Sequence, residues 1–100
     1  MFYSSYIEIS KSALQHNINF IKEQLAPGVR LSSVVKGNAY GHGIEEFAGI
    51  AHSCGIDHFS VFSAGEAYRV FKVKKKRTVV MIMGIVENDE LEWAIKNNIQ

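Results

Sequence analysis

The sequence predicts an α/β protein that is built on a parallel sheet. Short apolar runs alternate with segments of helical periodicity along all 100 residues, which is typical of parallel strands joined by right-handed crossovers. Two of the runs, Val29–Lys36 and Thr78–Met83, are rich in valine or methionine, as expected for strands buried on both faces. Three strand–helix units can begin an open doubly wound sheet or a closed barrel of eight strands, and periodicity does not choose between them.

The first elements along the chain are a short strand and a helix. Tyr6–Ile9 alternates like a strand with one solvated face. Apolar residues then recur at helical spacing, at Leu14, Ile18, Ile21 and Leu25. Pro27 and Gly28 end this helix. The buried strand Val29–Lys36 follows, and the glycine-rich segment Gly37–Gly43 forms the next turn.

Three helices and two strands are predicted in the rest of the chain. The second helix carries Ile44, Phe47, Ala48 and Ala51 on one face and ends near Gly55. His58–Phe62 is the second strand, and Ser63 and Glu66 have the spacing of a capping box that opens the third helix. The third strand, Thr78–Met83, closes at Gly84. Asp89 and Glu92 have capping-box spacing before a fourth helix with Leu91, Ala94 and Ile95 on its apolar side.

Composition and charge exclude several classes of protein. The net charge of +1 gives no reason to expect a nucleic-acid or anionic-membrane partner. Cys54 is the only cysteine, no stretch is apolar enough to cross a bilayer, and residues 1–10 do not resemble a secretion signal. We therefore expect a cytoplasmic protein. Three buried strands leave open edges and a fourth strand is due at Ile99–Gln100, which indicates a piece of a longer protein.

Lys36 is the first candidate for chemistry because it closes a buried strand at its carboxyl end, where α/β proteins build their sites. A lysine condenses with an aldehyde only when its amine is neutral. At an ordinary pKa of about 10.4, roughly 0.04% of a free lysine is neutral at pH 7. A dry site walled by valines would lower the pKa and raise that fraction. Position alone equally allows a lysine whose buried stem carries its amine out to water.

The turn after Lys36 is glycine-dense, but it is neither a Walker phosphate loop nor a dinucleotide fingerprint. Read as one string, Val34–Gly43 (VVKGNAYGHG) resembles the cofactor-lysine motif of the alanine racemases, VVKANAYGHG. Gly37 is the one departure, at a position where that family usually has alanine. The resemblance continues at Ile7–Ile9, Ala13–Leu14, Asn17, Gly65–Ala67 and Ile82–Gly84.

The resemblance implies an architecture and a set of site residues. The fold would be a pyridoxal 5'-phosphate (PLP) binding eight-stranded α/β barrel followed by a β-rich second domain. Residues 1–9, with a strand over Tyr3–Ile9, would pair with that second domain, and residues 10–100 would form the first strand–helix units. Lys36 would form the internal aldimine with PLP and act as one catalytic base, and the Tyr40 hydroxyl would reach the PLP phosphate. Val34, Met81 and Met83 would wall the cofactor, with methionines where the family usually has leucine.

The implied activity is the interconversion of L-alanine and D-alanine, an isomerase reaction that supplies D-alanine for peptidoglycan, in a homodimer. The family takes its second base, a tyrosine, from the second domain of the partner subunit, and no residue of this chain matches it. We therefore expect these 100 residues alone not to racemise alanine. Two alternatives stay open: a racemase of broader amino-acid specificity, and a non-catalytic fragment that binds PLP weakly or self-associates through its strand edges.

Other reactive or charged residues have plainer explanations. His42, in a glycine turn, is expected to be a structural hydrogen-bonding residue. His52, Cys54 and His58 are close in sequence, but their spacing matches no common zinc pattern. His52 also falls on the polar side of its helix and Cys54 near the apolar side, so the two would point apart, and we expect no metal. The basic run Lys72–Arg77 lacks interleaved aromatic residues and is expected to be a solvated helix end.

Overall fold

Three parallel strands form the centre of the molecule. The computed structural model of the chain describes residues 4–100. Strands β1 (Ser33–Val34), β2 (His58–Val61) and β3 (Val79–Ile82) lie in the order β1-β2-β3, and both neighbouring pairs are parallel. This arrangement confirms the predicted α/β class. The carboxyl ends of all three strands therefore meet at one edge of the sheet.

Helical segments connect and flank the strands. They are α1 (Lys11–Gln24), α2 (Lys36–Tyr40), α3 (Ile44–Ser53), α4 (Ala64–Val73) and α5 (Asn88–Lys96). The Ser10 hydroxyl caps α1 by accepting a hydrogen bond from the Ala13 N–H at 3.2 Å. Ser63 and Glu66 form the predicted capping box of α4. Within residues 4–100, no helix combines the length and the apolar character that a membrane span needs.

The hydrophobic core lies between the sheet, α3 and α4. Val35, Phe59, Val61 and Val80 are the sheet residues of this core, and each is almost completely buried. The helices contribute Ile44, Ala48, Ala51, Ala67 and Val70. The three alanines let the helices lie close to the strands, so the core supports the edge of the sheet at which β1 and β2 end.

Two predicted strands differ from the structure. Tyr6–Ile9 lies outside any helix or strand, and no strand of residues 4–100 pairs with it; Tyr3 is outside the described residues. A strand exists only where a neighbour supplies hydrogen bonds, so apolar alternation alone could not create one here. The predicted strand Val29–Lys36 is reduced to Ser33–Val34 for the same reason, because β2 runs beside only these residues. The prediction that it is buried on both faces is also wrong, since Val34 is 37% exposed.

The last helix and the end of the chain differ in detail from the predictions. The capping box predicted at Asp89 and Glu92 is wrong: α5 begins at Asn88, and the Glu90 carboxylate accepts a hydrogen bond from the Glu87 N–H at 3.2 Å. No strand is formed at Ile99–Gln100 in the described chain, but Gln100 makes two hydrogen bonds with β3. The Gln100 N–H donates to the Val80 carbonyl at 2.9 Å, and the Ile82 N–H donates to the Gln100 carbonyl at 2.7 Å. The outer edge of β3 is therefore occupied at Gln100.

Candidate functional site

Lys36 lies at the carboxyl end of β1, as predicted, but it is the first residue of α2 and not the last residue of the strand. The preceding residue, Val35, is fully buried, and its N–H donates to the Ser60 carbonyl of β2 at 2.9 Å. Lys36 itself is exposed, as is Val34 on β1. The core therefore fixes the backbone just before Lys36, while residues 4–100 do not by themselves build the dry pocket expected around the amine.

The backbone after Lys36 forms a left-handed helical turn. Gly37, Asn38, Ala39 and Tyr40 have φ angles of 61°, 56°, 56° and 55°. Left-handed helical geometry costs an ordinary L-residue roughly 1–2 kcal/mol, so Ala39 and Tyr40 are strained, whereas glycine and asparagine tolerate it. Gly41 ends the turn at φ 92°. Runs of such residues persist only where the surrounding structure holds them, and they cluster at functional sites.

Hydrogen bonds join the left-handed turn to the residues just before it and just after it. The Ala39 N–H donates to the Val35 carbonyl at 2.8 Å, and the Gly43 N–H donates to the Asn38 carbonyl at 2.9 Å. The Asn38 side-chain oxygen accepts from the Ile44 N–H at 3.1 Å, which joins the turn to the first residue of α3. The segment therefore links β1 to α3 through a compact structure of defined shape.

Two side chains of α4 reach the turn from the neighbouring strand–helix unit. Glu66 Oε2 accepts a hydrogen bond from the Gly37 N–H at 2.7 Å. Arg69 donates to the Asn38 side-chain oxygen at 2.8 Å and forms a two-bond contact with Glu45, at 2.8 and 2.6 Å. The hydrogen bonds from Arg69 lower the pKa of Glu45 from 4.5 to about 2. Sequence reasoning found Glu66 as a capping residue but missed these contacts, because nothing in the local pattern of α4 points to a turn 29 residues away.

The other predicted site residues lie at the same edge of the sheet. Tyr40 is 65% exposed at the end of the left-handed turn. Val34 and Met81 both pair with Ser60, so they share one face of the sheet. Met83 comes two residues after Met81, just beyond β3, where its N–H donates to the Val61 carbonyl at 2.7 Å. Val34 and Met81 therefore share one sheet face, while Lys36 and Tyr40 follow the end of β1 and Met83 follows the end of β3.

The residues considered for a metal site serve separate contacts. His52 is 8% exposed, so its placement on a polar helix side is wrong; its ring packs edge-on against Phe59 and its Nδ1 lies 3.1 Å from the Ile56 carbonyl. Burial lowers the pKa of His52, which favours the neutral ring. Cys54 is buried, and His58 Nδ1 lies 2.7 Å from the Ser32 hydroxyl. Within residues 4–100, no three side chains of metal-binding type come together.

His42 and the basic run contact aromatic rings. The His42 ring stacks against Phe47 with centroids 6.4 Å apart, and within the described part of the chain we find no side-chain hydrogen bond of the kind expected for it. The ammonium groups of Lys72 and Lys74 lie 5.1 and 5.3 Å from the ring centroids of Tyr68 and Phe71. Both rings belong to α4 residues that precede the run, which itself contains no aromatic residue, and its lysines and Arg77 are largely solvated around the end of α4.

Comparison with known proteins identifies the family. The family described as "Alanine racemase, N-terminal domain" matches residues 9–100. This chain belongs to that family. Its curated relatives include alanine racemases from Leptospira interrogans, 39% identical over 88 residues, and from Listeria innocua, 36% identical over 95 residues. These alignments cover 88% and 95% of this chain but only 22% and 26% of the two relatives.

Solved alanine racemase structures share the fold. The enzyme from Oenococcus oeni superimposes with a TM-score of 0.79 at 30% identity, over 92% of this chain and 26% of that one. The enzyme from Bartonella henselae, solved with covalently bound pyridoxal phosphate, gives a TM-score of 0.79 at 26% identity, over 91% of this chain and 25% of that one. The chain thus spans about a quarter of its relatives, and its parallel sheet is consistent with the first units of an eight-stranded barrel.

Proposed function

We propose that this chain is the N-terminal portion of a PLP-dependent alanine racemase and that Lys36 is the residue that binds PLP covalently. The observation that carries the proposal is the position of Lys36. It is an exposed amine at the carboxyl end of a parallel strand, followed at once by a strained left-handed turn. Active sites of α/β barrels lie at this end of the strands, and backbone strain is concentrated at such sites.

The residues present suit PLP. A primary amine is the group that condenses with its aldehyde, and the Tyr40 hydroxyl is a suitable donor to its phosphate. Val34 and Met83 are both partly exposed and offer apolar surface for a flat ring. An added Cβ at Gly37 or Gly41 would meet no atom within 4 Å, so space is open beside the turn.

Each residue of the proposed site then has a role. PLP, when bound, supplies the electron sink that allows a proton to leave the α-carbon of an amino acid. Lys36 Nζ holds the cofactor and moves a proton at one face of the substrate carbon. Tyr40 orients the phosphate, and Val34, Met81 and Met83 contact the cofactor ring.

The rest of the proposed enzyme follows from the family. We assign residues 1–9 to a strand that pairs with a β-rich second domain and residues 10–100 to the first units of the barrel. Tyr6 and Ile7 support this division, since they are 79% and 64% exposed in the described chain and have no strand partner there. Alanine is the proposed substrate, and the active enzyme is a cytoplasmic homodimer whose second base comes from the partner subunit.

The proposal is tested by locating the PLP-bound lysine in the full-length enzyme. Borohydride reduction followed by peptide mass analysis is expected to place PLP on Lys36. Lys36→Ala should lower the racemisation rate about 1,000-fold or more, because it removes both the cofactor's attachment and a proton-transfer group. Lys96→Ala, a lysine at the exposed end of α5, is the matched control and should keep wild-type activity. PLP trapped on another lysine, or on none, contradicts the proposal.

A further inference from the structure

Two side chains outside the predicted site hold the turn that carries Lys36. We propose that Glu66 and Arg69 of α4 are positioning residues, which fix the left-handed turn Gly37–Tyr40 and thereby the direction in which Lys36 presents its amine. The inference rests on the proposed function, since it assigns these residues a part in PLP chemistry. It concerns the neighbouring strand–helix unit, to which the cofactor-lysine motif does not extend.

Glu66 joins the ends of two strands through one carboxylate. Its Oε2 accepts from the Gly37 N–H at 2.7 Å, while its Oε1 accepts from the Phe62 N–H at 2.8 Å and the Ser63 N–H at 3.3 Å. Both oxygens are therefore committed to backbone donors, one at the end of β1 and the others at the end of β2. Because the Gly37 N–H belongs to the peptide group that follows Lys36, this bond fixes the plane next to the Lys36 α-carbon.

Arg69 holds the next residue of the turn. Its Nη2 donates to the Asn38 side-chain oxygen at 2.8 Å, and the same oxygen accepts from the Ile44 N–H. Its Nε and Nη2 also donate to the Glu45 carboxylate, so the positive charge of Arg69 is balanced within the protein. This pairing directs Arg69 toward the turn instead of toward an anionic ligand.

The two residues act on one face of the same helix. They are three positions apart on α4, which places them side by side on the surface that faces the Lys36 turn. The turn contains strained residues that would relax to ordinary backbone angles if the outside bonds were lost. A displacement of about 1 Å at a reacting group can lower a rate about 100-fold, so a small relaxation near Lys36 would be visible in catalysis.

Glu66→Gln in the full-length holoenzyme separates positioning from capping. Glutamine can still serve in a capping box, but its single carbonyl oxygen cannot accept from both Gly37 and Phe62–Ser63. We expect kcat to fall between about tenfold and 100-fold with little change in KM, and the absorbance of covalently bound PLP to change its pH dependence. Glu90→Gln is the matched control, since Glu90 caps α5 in the same way without contacting the turn.

Arg69→Lys tests the second contact. Lysine keeps the charge but loses the planar fork that reaches Glu45 and Asn38 together, so kcat should fall, by less than in Glu66→Gln. Arg30→Lys is the control, because Arg30 forms another exposed arginine–carboxylate pair, with Asp57, at the opposite end of β1. It should leave kcat unchanged.

Hydrogen exchange of the Gly37 amide gives a measurement that does not depend on PLP. We expect Glu66→Gln to speed this exchange about tenfold or more in the cofactor-free protein, and Glu90→Gln to leave it unchanged. Wild-type exchange at Gly37 together with wild-type kcat and pH dependence in Glu66→Gln overturns the inference. Failure of the proposed function shows instead in the wild-type enzyme, as PLP bound to a residue other than Lys36, whatever the variant does.

Discussion

The two turns that follow β1 and β2 are built in opposite ways. The turn after β1, Val35–Gly43, contains four consecutive left-handed residues and two further glycines with positive φ. The turn after β2 is short, with Ser63 in extended conformation at φ −128° and a regular capping box that leads directly into α4. The first turn carries Lys36 and Tyr40, whereas the second carries none of the proposed site residues.

The difference shows that the strained turn after β1 is supported by the regular turn after β2. The second turn meets its own hydrogen-bonding needs through Ser63 and Glu66, in a pattern that local sequence encodes. The first turn does not, and it draws on the same glutamate for the Gly37 N–H. Glu66 therefore serves both turns, and the geometry around Lys36 depends on the correct docking of the next strand–helix unit.

The largest effect is expected from disturbing the close packing beneath the second turn. A Cβ at Gly84 would overlap the Phe62 carbonyl oxygen, which belongs to the backbone and cannot move cheaply. Gly84→Ala should lower the free energy of unfolding by about 3 kcal/mol, because it forces β2 and β3 apart at their carboxyl ends. Urea unfolding measures this change.

The matched control for Gly84→Ala is another glycine close to the same turn. At Gly65 in α4, an added Cβ would have Ser63 Oγ as its nearest neighbour, at 3.9 Å. Gly65→Ala should therefore be stabilising, by about 0.5–1 kcal/mol, because alanine favours a helix over glycine. Equal effects of the two substitutions would show that Phe62 and Gly84 do not approach as described.

The next largest effect is expected from a pair of glycine substitutions that differ only in the backbone angle at the substituted residue. Gly41 has φ 92° while Gly49 lies within α3, and an added Cβ would meet no atom within 4 Å at either position. Gly41→Ala should cost about 1–2 kcal/mol of unfolding free energy. Gly49→Ala should add about 0.5–1 kcal/mol. The same sign for both variants would contradict the left-handed geometry after β1.

The smallest effect concerns the ion pair that supports the first turn. The folded-state pKa of Glu45, about 2, lies below its usual 4.5, so its stabilising contribution is complete above about pH 4.5 and is lost as pH falls toward 2. Both side chains are more than one third exposed, so we expect only about 1 kcal/mol at neutral pH. Glu45→Gln should remove this part of the acid dependence of urea unfolding. Glu92→Gln, on exposed α5, should retain it.

Much of the fold was predictable because local sequence patterns indicate where its helices and strands lie. Helical spacing and the Ser63–Glu66 capping box gave the helices, and valine-rich runs gave the position of β3 to within one residue of each end. Predictions failed where a neighbour decides the outcome. The strand predicted before Lys36 is limited to Ser33–Val34, because only these residues pair with β2. His52 was predicted on the polar side of its helix but is buried, because Phe59 of a different element packs against its ring.

In the candidate site, too, some features follow from local sequence and others depend on contacts between distant residues. Lys36, Tyr40 and the glycine-rich turn follow from the sequence motif, whereas the contacts that Arg69 makes with Asn38 and Glu45 depend on the packing of α4 beside the turn. Hydrogen bonds over such separations leave no periodic signal, so no reading of a single segment could have found them.

The sequence by itself determined the alternation of strands and helices and the parallel class of the sheet, because side-chain periodicity is recorded directly in a linear string. It also singled out Lys36 as the candidate cofactor lysine, through the resemblance of Val34–Gly43 to the alanine racemase motif. Only the tertiary structure decided the left-handed path of Gly37–Tyr40 and its support by Glu66 and Arg69. A backbone conformation that is unfavourable locally is selected by contacts from distant residues, and such contacts exist only after the chain has folded.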